Sequence, residues 1–200
     1  MHSGITENLK IKPMTKQELI TEITTAFEKV KLEDGIGIWE AQGIDDYADL
    51  ETIAELRKKD ERHNWNNIPY KDLADCSSSL SFFDAKGMRF SLPKLLVFDI
   101  LADEIYEEEA NYSPDVVFTL GYNLDEIYQK NRFSLFDKQQ IQAIIHFLEY
   151  KLEEIIEKYK MYSEDYAANP DSVYSSYGYL ETKRTLEEWR NKDNKILCFN

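Results

Sequence analysis

The chain has 200 residues, 42% apolar and 31% charged, with a net charge of −14, which describes one globular chain with a substantial core to bury. That charge speaks against direct binding to nucleic-acid phosphates and to anionic lipid, because both would be repelled at long range. Apolar runs such as "LLVF" (Leu95–Phe98) fall far short of the roughly 20 residues a membrane span needs.

Cys76 and Cys198 have no CxxC spacing, which speaks against a structural zinc site and a disulfide framework. The stretch "MHSGITENLKIKPM" has no apolar signal core, so a cytoplasmic chain is expected.

The first element is well marked. Thr15 followed by Glu18 makes a capping box, Met14 stands ready to staple against Leu19, and apolar residues from Leu19 to Val30 recur at helical spacing, predicting a helix over about 16–31. The glycines of "EDGIGIWEAQGIDDY" read as a loop, and a charged helix is predicted over about 47–61. Pro69 suits the first turn of a short helix through Leu73.

In "SSSLSFFDAKGMRFSLP", Leu80, Phe82 and Phe83 are core anchors, "DAKG" reads as a turn and "MRFSL" as a short strand or extended lead-in. Pro93 then opens a helix over about 94–108. "VVFTL", β-branched and bounded by "NYSPD" and "GYN", is the best strand candidate. Asp137 with Gln140 makes a second capping box, Phe136 can staple to Ile141, and a long helix runs at least to Tyr162. A last helix carries Leu180, Leu186 and Trp189, ahead of the tail "DNKILCFN".

The expected fold is therefore mainly α: a single helical domain with at most a small strand pair from "MRFSL" and "VVFTL". Its divisions are an N-terminal arm (1–14), a helical core (15–162) and a C-terminal helical extension (163–200).

Candidate chemistry is sparse. His63 and His146 have no partner at metal-ligand spacing and read as packing or capping groups. The serines of "DCSSSLSFF" lack a nucleophile elbow, and "DGIGIW" lacks the third glycine of a dinucleotide site. No catalytic residue, cofactor or metal ligand is assigned.

Asp45 and Asp46 suit helix capping; their sharper reading is metal-assisted hydrolysis together with Arg89. Arg89, between Met88 and Phe90, is expected to fork onto a carboxylate such as one of "IDDY".

The clearest charge feature runs from Asp99 to Glu126, with nine acidic residues and no Lys or Arg. A solvated face is its ordinary meaning. Its sharper meaning is a docking face for a basic protein, such as a toxin or effector, using Asp99, Asp103, Glu104, Glu107, Glu108, Glu109 and Asp115 with Tyr106, Tyr112 and Tyr122 as aromatic anchors. A non-enzymatic binding protein of immunity or antitoxin type is the expectation that follows. A hydrolase and a structural or regulatory subunit are the alternatives, and oligomeric state is left open.

The ordered set "TKQELITEITTAF", "DDY", "WNNIPYKDL", "LSFFDAKGMRFSLPKLL" and "RFSLFDKQQIQAIIHFLEY" resembles an uncharacterised bacterial domain-of-unknown-function family, over about Thr15 to Leu152. The family pattern falls on Asp46, Tyr47, Trp65, Pro69, Phe83, Gly87, Arg89, Phe90, Leu92, Pro93, Gln139 or Gln142, Ala143, Phe147 and Leu148. Met88 and Ser91 replace its more usual aromatics. The resemblance implies a shared fold and no activity; Asp46, Tyr47, Trp65, Pro69, Gly87, Arg89, Phe90 and Pro93 are expected to be structural.

Overall fold

A computed structural model of the chain describes residues 14–105, 114–163 and 168–197. Nine α-helices lie among the described residues, and no strand. They are α1 (Lys16–Phe27), α2 (Ile38–Asp45), α3 (Leu50–Arg57), α4 (Tyr70–Asp75), α5 (Ala85–Ile100), α6 (Val116–Gly121), α7 (Ile127–Arg132), α8 (Lys138–Tyr162) and α9 (Tyr177–Leu197). Short 3-10 turns at Trp65–Asn67, Ser77–Phe82 and Pro170–Ser175 link them.

Both capping boxes form. Thr15 accepts the Glu18 N–H while the Glu18 carboxylate accepts the Thr15 N–H, and Asp137 and Gln140 do the same at the start of α8. These motifs act within four residues, which makes them independent of tertiary context.

The centre of the core is α5, which corrects the strand assigned to "MRFSL". Asp84 caps it by accepting the Gly87 N–H at 2.7 Å, and the same oxygen accepts the Ile36 N–H at 3.1 Å. From Gly87 onward α5 is buried on nearly every side, Arg89 and Asp99 being the partly exposed exceptions. A helix apolar all round carries no amphipathic period, which is why its sequence imitates an extended run. Pro93 lies inside α5 instead of opening it, so its missing N–H leaves the Arg89 carbonyl without its intrahelical donor. The helix ends at Ile100, well before the expected limit of 108.

"VVFTL" is likewise helical, because Asp115 caps α6 by accepting the Phe118 N–H at 2.8 Å. The expected loop at 35–46 contains α2. Its N-terminus is capped from a distance by Asp60, which accepts the Trp39 N–H at 2.8 Å and the Glu40 N–H at 3.4 Å. Gly37 makes room for that carboxylate: a Cβ there would lie 2.2 Å from Asp60 Cγ.

Around α5, α1 packs against both α5 and α8, while α9 lies along α8 and touches α6. The last helix takes in most of the expected tail, reaching Leu197. Trp189 on α9 is fully buried and donates Nε1–H to the Leu120 carbonyl at 3.0 Å. The C-terminal segment is thereby built into the core.

Candidate binding cleft

Helix α6 is pinned at its C-terminal end. A Cβ at Gly121 would meet Thr185 Oγ1 at 2.1 Å, and Arg184 donates to the Gly121 carbonyl at 3.1 Å. With that end fixed on α9, the i and i+4 positions Phe118 and Tyr122 face outward, half-exposed and stacked at 4.9 Å between ring centroids. Asn123 turns the chain with φ of +49°, a left-handed conformation that Asn tolerates better than most residues. Helix α7 then presents Tyr128 and Arg132, again one turn apart, with the guanidinium carbon 5.4 Å from the Tyr128 ring.

These elements and the Ser77–Phe82 turn enclose a cleft of about 500 Å³. Phe118, Tyr122 and Tyr128 form its walls, Asp115 and Glu126 line it, and Ser78 and Ser81 face it from the turn. Arg132, at 4% exposure, also lines it. Its Nη2 donates to the Leu80 carbonyl at 2.5 Å and its Nη1 to Gln129 Oε1 at 2.9 Å, while its buried Nε has no partner among the described residues. Burial pushes the Arg132 pKa down, as expected for a cation withdrawn from water.

A second cleft, about 490 Å³, lies beyond Gln129 and is lined by Phe133, Phe136, Trp189 and Lys192. Lys192 donates to the Phe133 carbonyl at 3.0 Å and sits 4.9 Å over the Trp189 ring. Burial lowers its pKa to about 8.

The expected docking residues do not form one helix face. Asp99 points to α8, with Oδ1 2.6 Å from Lys151 Nζ, and burial pushes its pKa up against the pull of that lysine. Asp103 pairs with Lys158 at 3.3 Å and Glu104 with Lys16 at 2.6 Å. The cations missing from the local sequence therefore come from helices 50 or more positions away. Asp115 and Tyr122 come together in the aromatic cleft. Tyr106, Glu107, Glu108, Glu109 and Tyr112 lie outside the described residues. Sequence reasoning missed Phe118, Tyr128 and Arg132, although the i, i+4 pairs Phe118/Tyr122 and Tyr128/Arg132 were visible once a helical period was assumed.

Arg89 does not meet "IDDY". It donates from Nε to Gln140 Oε1 at 2.9 Å and from Nη2 to Asp137 Oδ2 at 3.3 Å, joining α5 to the start of α8. Asp45 accepts from Ser78 at 2.9 Å, Asp46 accepts from Gln42 at 2.9 Å, and Tyr47 is 94% exposed at φ of +54°. Among the described residues no group of three or more His, Cys, Asp or Glu is placed to hold a metal ion. His146 Nδ1 lies 2.8 Å from Glu22, tying α8 to α1.

The other pattern residues serve packing. Trp65 donates Nε1–H to the Phe27 carbonyl at 3.1 Å, Pro69 precedes α4, Phe90 and Pro93 are buried, and a Cβ at Gly87 would lie 2.1 Å from the Ile36 carbonyl oxygen.

The class defined by these features is a helical protein in which Trp65, Gly87, Phe90 and Pro93 serve helix packing, with an aromatic cleft set apart from them. Residues 15–169 match DUF6714, a family of unknown function, and the chain belongs to that family. Comparison with curated proteins and with solved structures found no match. No described helix is long and apolar enough to cross a membrane.

Proposed function

We propose that the protein is a non-enzymatic binding protein that neutralises a basic effector by occupying it, in the manner of a bacterial immunity protein or antitoxin. The observation that carries this reading is the wall of Phe118, Tyr122 and Tyr128, three half-exposed aromatic rings grouped on one cleft. Aromatic side chains supply large contact area at low entropy cost and dominate interface energies. The net charge of −14 favours a basic partner, since complementary fields speed encounter and select among partners. Glu126 and Asp115 bring that charge to the cleft itself.

The test places a photo-crosslinking residue at position 122 and, as a control on another surface, at exposed Tyr47. Host extract is then irradiated at low and high salt. Crosslinking of one basic protein from position 122 alone, weakened by salt and abolished by Phe118→Ala, is expected. Equal products from both positions, or none, would overturn the reading.

A further inference from the structure

The protein carries an excess of 14 negative charges, yet Arg132 has no carboxylate among its electrostatic neighbours in the described residues. Lys94 and Lys192 are also withdrawn from water and held by carbonyls, and each lies over an aromatic ring, Lys94 at 4.0 Å from Tyr70 and Lys192 at 4.9 Å from Trp189. Those two ammonium groups are accommodated. Lys192 lines a cleft as Arg132 does, but Arg132 differs from both lysines in keeping one buried N–H with no acceptor among the described residues. An unpaired donor on a buried cation costs free energy that folding alone does not recover. A guanidinium is also the group whose planar fork matches a carboxylate.

We propose that the cleft between the Ser77–Phe82 turn, α6 and α7 is a carboxylate-binding subsite in which Arg132 receives the carboxylate and Phe118, Tyr122 and Tyr128 hold the flat or apolar body that bears it. The proposal rests on the reading of this cleft as the place where the protein meets its partner, and names the chemical group received there. Arg132 already spends Nη1 on Gln129 and Nη2 on Leu80, so the vacant position is the Nε edge. On that edge Nε–H stands beside Nη2, so a carboxylate there takes Nε–H and competes with the Leu80 carbonyl for Nη2, while Gln129 keeps Nη1. Tyr128, half-exposed with its ring 5.4 Å from the guanidinium carbon, is the aromatic wall nearest to that position. The hydroxyls of Ser78 and Ser81 face the same space and can donate to a carboxylate oxygen.

An acidic side chain of a protein partner and a free aromatic acid present the same group, so two probes are used. N-acetylglutamate N-methylamide stands for the first and benzoate for the second, with benzamide as the neutral isostere. The readout is the Arg132 Nε–H resonance of the ¹⁵N-labelled full chain. A saturable shift with either acid is expected, and whichever acid binds tighter identifies the source. Benzamide should bind at least about tenfold more weakly than benzoate, the order expected for losing a charge-assisted pair. Arg132→Lys, which keeps the charge without the fork, should weaken binding of the acids while leaving the helical circular dichroism unchanged. Should that variant fail to fold, the titration of the natural protein decides.

No saturable shift with either acid, or equal binding of benzamide and benzoate, overturns the subsite. Crosslinking from position 122 in that case still leaves the partner reading standing. Carboxylate binding without any captured partner keeps the subsite and removes that reading.

Discussion

Arg89 and Gln140 share one contact that organises three helices. The Gln140 Oε1 that accepts the Arg89 Nε–H at 2.9 Å also accepts the Asp137 N–H at 3.3 Å, while Gln140 Nε2 donates to the Ala26 carbonyl at 3.2 Å. Helix α5, the end of α1 and the capping box of α8 therefore meet at one amide. Arg89→Ala is expected to destabilise the fold by about 1 kcal/mol, the usual net worth of a partly exposed charged hydrogen bond. Gln140→Ala should cost more, about 2 kcal/mol, because Gln140 is buried and its loss strands donors on two sides. Urea unfolding of the two single variants and the double variant checks this; a double variant equal to the sum of the singles would show that the residues act independently.

Asp60 supplies a pH dependence of known sign. Burial raises its pKa from 3.8 to about 6, against the two N–H donors of Trp39 and Glu40 and the nearby Arg62, with Glu40 adding to the rise. The unfolded chain ionises this carboxyl near its ordinary value, whereas the folded chain holds the proton until about pH 6. The contribution of Asp60 to stability is therefore fully present below about pH 4 and lost as pH rises through 6. A shift of about two units corresponds to roughly 3 kcal/mol. Asp60→Asn keeps an oxygen to accept the Trp39 N–H and does not titrate. Relative to that variant, the natural protein should lose up to this amount between pH 4 and pH 7 in urea unfolding. Parallel curves would show that Asp60 is ionised throughout.

What the sequence made legible was local. The boxes at Thr15/Glu18 and Asp137/Gln140 act across three residues and were read directly, as was the long apolar stripe of α8. Helix α5 was misread because burial on all sides erases the 3.6-residue period and because Pro93 is a helix opener far more often than an interior residue. "VVFTL" has the composition of a strand, and what makes it helical is the Asp115 cap together with the close approach of Gly121 to Thr185. Asp115 and Tyr122 could be singled out by charge and aromaticity. Arg132 could not, because its significance lies in its burial and in an Nε–H left without an acceptor among the described residues, both of which depend on the fold. The same limit applied to Asp99, whose partner Lys151 lies on another helix.

The partly buried Asp99 and the exposed Asp103 and Glu104 should separate stability from association. Asp99 and Glu154 both pair with Lys151 in a largely buried cluster. Removing Asp99 leaves Lys151 paired with Glu154 alone, so Asp99→Ala should cost about 1–2 kcal/mol in urea unfolding. Asp103→Lys with Glu104→Lys reverses two exposed groups whose ion pairs are worth little, and thermal stability should change by a few degrees at most. Under the proposed docking role, the double reversal slows association with a basic partner at low salt and has no effect at high salt. An unchanged association rate at low salt would exclude these two residues from the docking face.

Trp189 tests whether the C-terminal helix is a support for the cleft or an appendage. It is fully buried, meets Phe133 edge-on at 5.2 Å and bonds the Leu120 carbonyl at 3.0 Å, which fixes α6 at the end that orients Phe118 and Tyr122. Trp189→Ala removes a large ring from a packed interior and should cost about 3–5 kcal/mol. Trp189→Phe retains most of the packing and strands one carbonyl, so a loss of about 1–3 kcal/mol is expected. The discriminating measurement is made on the folded Phe variant: the stacking of Phe118 on Tyr122, followed by the ring-proton shifts of both, should loosen if α9 positions the cleft. Unperturbed shifts at both rings, in a variant that has lost the expected stability, would show that α6 holds its place without Trp189 and that the contacts of Gly121 with Thr185 and Arg184 suffice to orient the cleft.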